Sequence, residues 1–370
     1  MAVVTYKCPN CDGGLIFDAE SQKFHCEYCL SYFTEEELVK AGQAKSEEQK
    51  AESTESAEDT ESTESTESAQ ETESETQNDS DDFQGYVYTC PSCGAEVIVS
   101  STTAASHCCF CHNPVLISGR LEGEFKPDCI IPFAIDQDEA VDRFFQWLKK
   151  KWFVPKNFFS KKQLAKISGV YFPYWVANCD AQAQINASAK KVRSWRSGNT
   201  RYTETSTYSV ARGGDIKFKD ISKNALSKAN KVLAENVQPF DYSDVKDFNM
   251  AYLSGFEAEK RDIESEEIEG QVKEEVVDYS AQILRDKISG YDSVFVTEKS
   301  ASMNIDWRYA LVPVWLMTFK NGGKDYFYAM NGQTGTTCGK LPLSRSKLAI
   351  LFAAVFVPVA LFILNFGGVI

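Results

Sequence analysis

Histidine is the residue this sequence has least of. Only three occur among 370 residues, at His25, His107 and His112, and residues 121–370 contain none. A Ser-His or Cys-His nucleophilic site in that long stretch would have to borrow its base from the N-terminal third. Carboxylates are plentiful there, but none forms a pair of defined spacing. The sequence therefore gives no support to catalysis, and an enzyme with an unrecognised site stays as an alternative.

Other absences bound the class. Residues 1–10 show no basic stretch followed by an apolar one, so no signal peptide is expected. Residues 42–82 contain no aromatic and no large aliphatic side chain. Such a segment cannot bury enough surface to offset its ordering entropy, which predicts a disordered tether over 41–84. It also carries the charge. Residues 41–82 hold 15 Asp/Glu and two Lys, a net of −13 out of −14, which leaves −1 for everything else. Finally, 348–370 has no charged residue. At 1.5 Å per residue, 23 residues reach about 34 Å, enough for a hydrocarbon core of about 30 Å. Lys340, Arg345 and Lys347 precede that run and nothing charged follows it. The expectation is a single-pass transmembrane helix at 347–370 in the cell membrane, with the bulk of the chain cytoplasmic.

Cysteine, by contrast, is abundant and ordered. Twelve are present, and eight fall in C-x-x-C pairs. The first unit reads Cys8-Pro-Asn-Cys11, fourteen residues, then Cys26-Glu-Tyr-Cys29. The second reads Cys90-Pro-Ser-Cys93, fourteen residues, then Cys108-Cys-Phe-Cys111. A two-residue gap lets a tight turn present both sulfurs to one tetrahedral ion, and a hairpin brings the second pair round. Two structural zinc ions are expected, on Cys8, Cys11, Cys26 and Cys29 and on Cys90, Cys93, Cys108 and Cys111. Four protein ligands leave no open position for a substrate. Units this small have too little core to fold without the metal. Cys109 is the spare of the second knuckle, and whether it replaces Cys108 stays open. Cys129, Cys179 and Cys338 are isolated and read as buried reduced thiols.

The predicted organisation is a zinc ribbon with a short helix (1–40), the acidic linker (41–84), a second ribbon (85–120), an α+β core (121–346) and the terminal span (347–370). Thr34 with Glu37 matches a capping box for the short helix. The core reads as two related halves. Tyr171-Phe-Pro-Tyr-Trp175 and Leu311-Val-Pro-Val-Trp315 are taken as repeated strands, the prolines at edge or bulge positions. The charged stretch 257–288 reads as a helical insertion in the second half.

These features resemble known families. Both cysteine units look like zinc ribbons of the transcription factor IIB type. The order of ribbon, acidic linker, ribbon, Pro-x-Trp domain and terminal apolar span is similar to a family of uncharacterised bacterial membrane-anchored zinc-ribbon proteins. Some of that family carry a primosomal helicase-like label. The matching stretches are 171–175, 311–315 and Tyr-Ala-Met-Asn-Gly-Gln-Thr-Gly at 328–335. No motor is expected here. The nearest phosphate loop, Gly335-Thr-Thr-Cys-Gly-Lys340-Leu341, is one residue short and ends in Leu where Ser or Thr would hold magnesium.

Two basic and aromatic runs remain. Residues 144–162 interleave six lysines, Lys149 through Lys162, with Trp147, Trp152, Phe153, Phe158 and Phe159. Residues 190–201 place Trp195 among Lys and Arg. Three readings stay open: an ordinary core with a solvated face, contact of 149–162 with an anionic membrane surface, or nucleic-acid binding. The first ribbon argues against nucleic acid, with Lys7 and Lys23 set against Asp12, Asp18, Glu20 and Glu27. The favoured expectation is a membrane-anchored adaptor whose ribbons meet a protein partner. A nucleic-acid-binding ribbon protein is the alternative.

Overall fold

The computed structural model describes residues 3–4, 6–41, 85–90, 94–108, 114–117, 120–121, 123–155, 167–229, 231–321 and 324–366. It holds mixed sheets and, among the described residues, five helices around a large sheet core. The acidic linker expected at 41–84 lies almost wholly outside the described residues.

The N-terminal unit comprises β1 (Val3–Val4), β2 (Leu15–Asp18), β3 (Lys23–Cys26), β4 (Tyr32–Phe33) and the helix α1 (35–41). Strands β2, β3 and β4 form one antiparallel sheet. The capping box at α1 is present: the Thr34 amide donates to Glu37 Oε2 at 2.8 Å, and the Glu37 amide to Thr34 Oγ1 at 3.4 Å. The second unit comprises β5 (Gly85–Thr89), β6 (Glu96–Ser100), β7 (Thr103–His107) and β8 (Pro114–Ile117).

The core does contain a repeat, but shifted from the expected one. Its first half runs β9 (Cys129–Ile130), α2 (Gln137–Lys149), β10 (Ser168–Ser197) and β11 (Thr200–Asn224). Between the halves lie α3 (Lys231–Asn236) and β12 (Lys246–Asp247). The second half runs β13 (Glu257–Glu259), α4 (Ser265–Asp286), β14 (Ser293–Asn321) and β15 (Lys324–Asn331), followed by β16 (Thr337–Gly339). The charged stretch at 257–288 is thus no insertion. It is the second copy of the short strand and helix.

The halves exchange partners. Strands β10 and β14 pair antiparallel, while β13 runs parallel to β10 at Val170–Tyr171 and β9 parallel to β14 at Ala310–Leu311. Each long strand then hairpins onto its own successor, β10 with β11 from Tyr174 and β14 with β15 from Val314. Pro173 and Pro313 therefore sit where the outer neighbour changes from a short parallel strand to the hairpin partner. A missing N–H costs no ladder bond there. This corrects the edge-or-bulge expectation, for both prolines lie inside central strands.

The two tryptophans lock the exchange. Trp175 Nε1 donates to the Ile263 carbonyl at 2.9 Å, and Trp315 Nε1 to the Ile135 carbonyl at 2.9 Å. Each acceptor lies one residue before the helix N-cap of the other half, Glu264 of α4 and Asp136 of α2. Asp136 Oδ1 accepts from the Glu139 amide at 2.7 Å, and Glu267 Oε1 from the Glu264 amide at 3.1 Å. Both caps anchor helices whose first turns carry acidic residues, which suits the dipole.

One face of the sheet forms the largest core, with Phe133, Tyr171, Trp175, Tyr309, Trp315 and Tyr328 packed under α2. Phe144 of α2 meets Tyr328 edge-on at 4.4 Å. Further along, β10 alternates buried Ala181, Ala183, Ile185, Ala187 and Ala189 with exposed Gln182 and Gln184. Small side chains let α4 lie close on β10, with Val272, Val276, Ala281 and Leu284 facing in. The opposite face carries a second core, including Tyr174, Ala234, Val237, Val312 and Ala329.

The transmembrane expectation is corrected. The apolar C-terminal segment forms α5 (Arg345–Phe366), and among the described residues no helix is long and apolar enough to cross a membrane. The helical part of the apolar run, 348–366, measures about 28 Å rather than the about 34 Å expected for 348–370. Its first turn is tied to the core instead: Lys347 Nζ donates to the Val154 carbonyl at 2.8 Å and the Ser344 amide to Phe153 O at 2.7 Å. The single-pass topology, the cell-membrane location and the cytoplasmic orientation drawn from it lose their basis together.

Candidate metal centre

The first cysteine unit closes as its spacing demands. In the first knuckle the Cys8 amide donates to Gly13 O at 2.7 Å and the Asp12 amide to Cys8 O at 2.9 Å. In the second, the Cys26 amide donates to Ser31 O at 3.0 Å and the Leu30 amide to Cys26 O at 2.8 Å. Asp12 and Leu30 close these turns in the left-handed region, φ 58° and 59°. The four sulfurs of Cys8, Cys11, Cys26 and Cys29 all lie within 4.8 Å of one another, with Cys8–Cys29 and Cys11–Cys26 at 3.5 Å. A tetrahedron with 2.3 Å metal–sulfur bonds has edges of about 3.8 Å, so this group could hold one metal ion. The spacing also exceeds any disulfide bond, and all four are free thiols.

Local chemistry treats these thiols unequally. Hydrogen bonding with the Ser31 hydroxyl, then with its amide, pulls Cys29 down to about 6. At Cys11 the Gly13 amide acts in the same direction, but the bond to Cys26 and burial outweigh it and push the thiol up to about 12. Burial raises Cys8. A bound cation would reverse the penalty on the last two, since it stabilises all four in their charged form. Gly13 is closely approached: a Cβ would stand 2.6 Å from Tyr28 Cδ2 and 3.3 Å from the sulfurs of Cys11 and Cys26, so Tyr28 would have to move.

The second unit repeats the first knuckle at an offset of 82 residues. The Cys90 amide donates to Ala95 O at 2.8 Å, and the Gly94 amide, at φ 74°, to Cys90 O at 2.9 Å. Cys90 and Cys108 are buried beside Val97, Val99, Val115 and Ile117. Cys93, Cys109, Cys111 and His112 lie outside the described residues. His25, on β3, stacks on Tyr32 at 4.5 Å and stands outside the sulfur group.

The first ribbon is seated on the core. Phe17 and Phe24 pack on Tyr252 at 5.0 and 5.7 Å between ring centres. The Phe17 amide donates to Ser254 O at 3.0 Å, and the Ser254 hydroxyl donates to Leu15 O. Gly255, at φ +91°, lies close under Ile16, so that an added Cβ would run into the Ile16 side chain. Glu35 of α1 accepts from Asn249 Nδ2 and from the Tyr252 hydroxyl, both at 2.8 Å. Ahead of the ribbon, β1 pairs with β8 of the second unit. What remains outward is the second knuckle, with Tyr28, Leu30 and Tyr32 exposed by 70, 69 and 51%. Sequence reasoning passed over these three. Their signal was Tyr28-Cys-Leu-Ser-Tyr32, apolar residues flanking a ligand where solvation would favour polar ones.

The other candidate residues divide. Phe144 and Trp147 of the first basic run belong to the core, while Lys149, Lys150 and Lys151 form its solvated edge, Lys151 lying over Trp147 at 5.3 Å. Trp152 is 83% exposed. Lys156, Phe158, Phe159, Lys161 and Lys162 lie outside the described residues. The second run caps the β10–β11 hairpin, where Trp195 stacks on Tyr202 at 5.8 Å and Arg193 covers Trp195 at 5.9 Å. Cys129 and Cys179 are buried and Cys338 half-buried; burial raises all three, Cys129 and Cys338 to about 11. Residues 337–339 of the phosphate-loop lookalike form β16, paired with β15.

Comparison with known proteins gives one finding of weight. The chain is 32% identical over 372 residues to the Uncharacterized protein YdjG of Bacillus subtilis (strain 168), covering 99% of each chain. No family model matches the chain, and no solved structure matches it.

Proposed function

We propose that this chain, which belongs to the same family as YdjG, is a non-enzymatic zinc-ribbon adaptor holding two structural zinc ions. The first ion sits on Cys8, Cys11, Cys26 and Cys29, and the second on Cys90, Cys93, Cys108 and Cys111. Zinc is favoured over other metals by the all-thiolate donor set and the two-residue gaps. The second site is supported by the knuckle hydrogen bonds that recur around Cys90. The partner is a protein, met by the exposed Tyr28, Leu30 and Tyr32 of the first ribbon. The observation that carries this reading is the combination of a closed four-thiol group with an apolar knuckle exposed on the side away from the core. Aromatic residues so placed are typical anchors of protein interfaces.

Two measurements test it. Metal analysis of the purified chain should return two zinc equivalents, falling to one in Cys8→Ser/Cys11→Ser. Cross-linked partner sets should then change in Tyr28→Ser/Leu30→Ser, which keeps every ligand. Partner sets identical to wild type would sink the recognition role while leaving the metal sites intact. A nucleic-acid reading keeps one supporting observation, the Arg193, Trp195, Arg196, Arg201 and Tyr202 cluster at the hairpin tip. Retention on single-stranded nucleic acid at about 150 mM salt, lost on Trp195→Ala, would favour it.

A further inference from the structure

The second face of the sheet is only partly filled. Beside the core under α3 lies a cavity of about 810 Å³, the size of ligand pockets rather than of packing defects. Its floor crosses four adjacent strands. Val170 and Phe172 come from β10, Val314 and Leu316 from β14, and Phe327 and Ala329 from β15. Leu233 and Ala234 of α3 form part of its lining. The fourth strand is β13, where Glu257 stands opposite Val170 in register. Residues 257 and 259 share one face of that strand, so both carboxylates meet the cavity at the same end.

The polarity is thus graded along one direction. Three strand spacings of about 4.8 Å separate β13 from β15, giving about 14 Å from carboxylates to aromatic wall. Glu259 Oε1 accepts from the Thr103 hydroxyl at 3.2 Å. Its Oε2 is buried and has no partner among the described residues. Burial raises both carboxyl groups, and for Glu257 the neighbouring Glu259 adds to it. Two carboxylates against an apolar trough are costly unless a cation meets them. Lys228 lies exposed at the rim, and its charge, with that of the buried Arg120, helps Glu259 ionise without offsetting its burial.

We propose that this cavity binds a primary ammonium on an aliphatic chain, the head between Glu257 and Glu259 and the tail lying across β10, β14 and β15. A carboxylate head would face repulsion from both glutamates, and an uncharged head would leave them unneutralised. The site is separate from the first ribbon and its exposed knuckle, while Ser100 and Thr102 of the second cysteine unit belong to its lining.

Calorimetric titration of the full-length protein with decylamine, decanol and decanoic acid tests it. Decylamine should bind saturably with about one equivalent, at least tenfold tighter than the other two. Glu257→Gln/Glu259→Gln should weaken decylamine at least tenfold and leave decanol unchanged. Ala329→Phe, which fills the apolar end, should weaken decylamine as well. Zinc content and circular dichroism equal to wild type show that each variant is folded. Decanoic acid binding as tightly as decylamine, unchanged decylamine affinity in the glutamine variant, or no saturable binding of decylamine would each overturn the proposal.

Discussion

The two cysteine units start from one sequence pattern and are built into the molecule by different means. The second is joined to the core by strand pairing, β7 with β13. The first is docked mainly by side chains, Phe17, Phe24 and Ile16 on Tyr252 and Gly255, with short backbone links at Phe17 to Ser254 and at β1. Strand pairing makes a unit part of the sheet's cooperative unfolding, whereas a docked unit can be lost alone. Identical spacing therefore does not imply identical mechanical roles. The second knuckle of the first ribbon stays exposed because the opposite face carries the docking.

That contrast can be broken most decisively at the ligands. Cys90→Ser should lower the calorimetric midpoint of the whole chain by more than about 10 °C, against less than about 5 °C for Cys8→Ser. Equal shifts would mean that the two units are integrated alike. Next in size, Tyr252→Ala removes the ring on which two phenylalanines sit and should cost the docking about 3–5 kcal/mol. Hydrogen exchange should then speed up across β2 and β3 while β10 and β14 keep their protection. Gly255→Ala should do the same more mildly, by about 1–3 kcal/mol, because a Cβ meets Ile16 at a positive φ. Unchanged exchange at β2 in that variant would show the seat to be looser than drawn.

The smallest effect is electrostatic. The Thr34 amide, then its hydroxyl, hold the Glu37 carboxyl below its ordinary range. A depressed folded value means stabilisation that is present above the unfolded pKa and lost as pH falls through the folded one. Residues 35–41 should accordingly fray at acid pH before the ribbon undocks, as read by amide exchange. Glu37→Gln should weaken that pH dependence.

The four-thiol group of Cys8, Cys11, Cys26 and Cys29 was legible, because ligand spacing within a knuckle is a local property. So was the α1 cap, which needs only Thr34 and Glu37. The twofold nature of the core could be read from 171–175 and 311–315, but its boundaries could not. The parallel pairings of β9 with β14 and β13 with β10 join distant stretches, and two-residue strands carry no periodicity of their own. The docking of the first ribbon was hidden for the same reason, since Tyr252 looks like any other core aromatic until Phe17 and Phe24 are placed against it. The terminal span was misread from composition alone. An uncharged run gives apolar length, not the point at which the helix starts and what its first turn holds.

The tryptophan exchange has a consequence for how the chain is made. Ile135 waits for Trp315, 180 residues downstream. At about 5–20 residues per second, ribosomal synthesis leaves α2 without that clasp for roughly 10–40 s. Over that interval the first half is a half-built sheet, with the β14 edge of β10 unpaired. The nascent molecule is most vulnerable late in translation, when all of β10 is out and β14 is not.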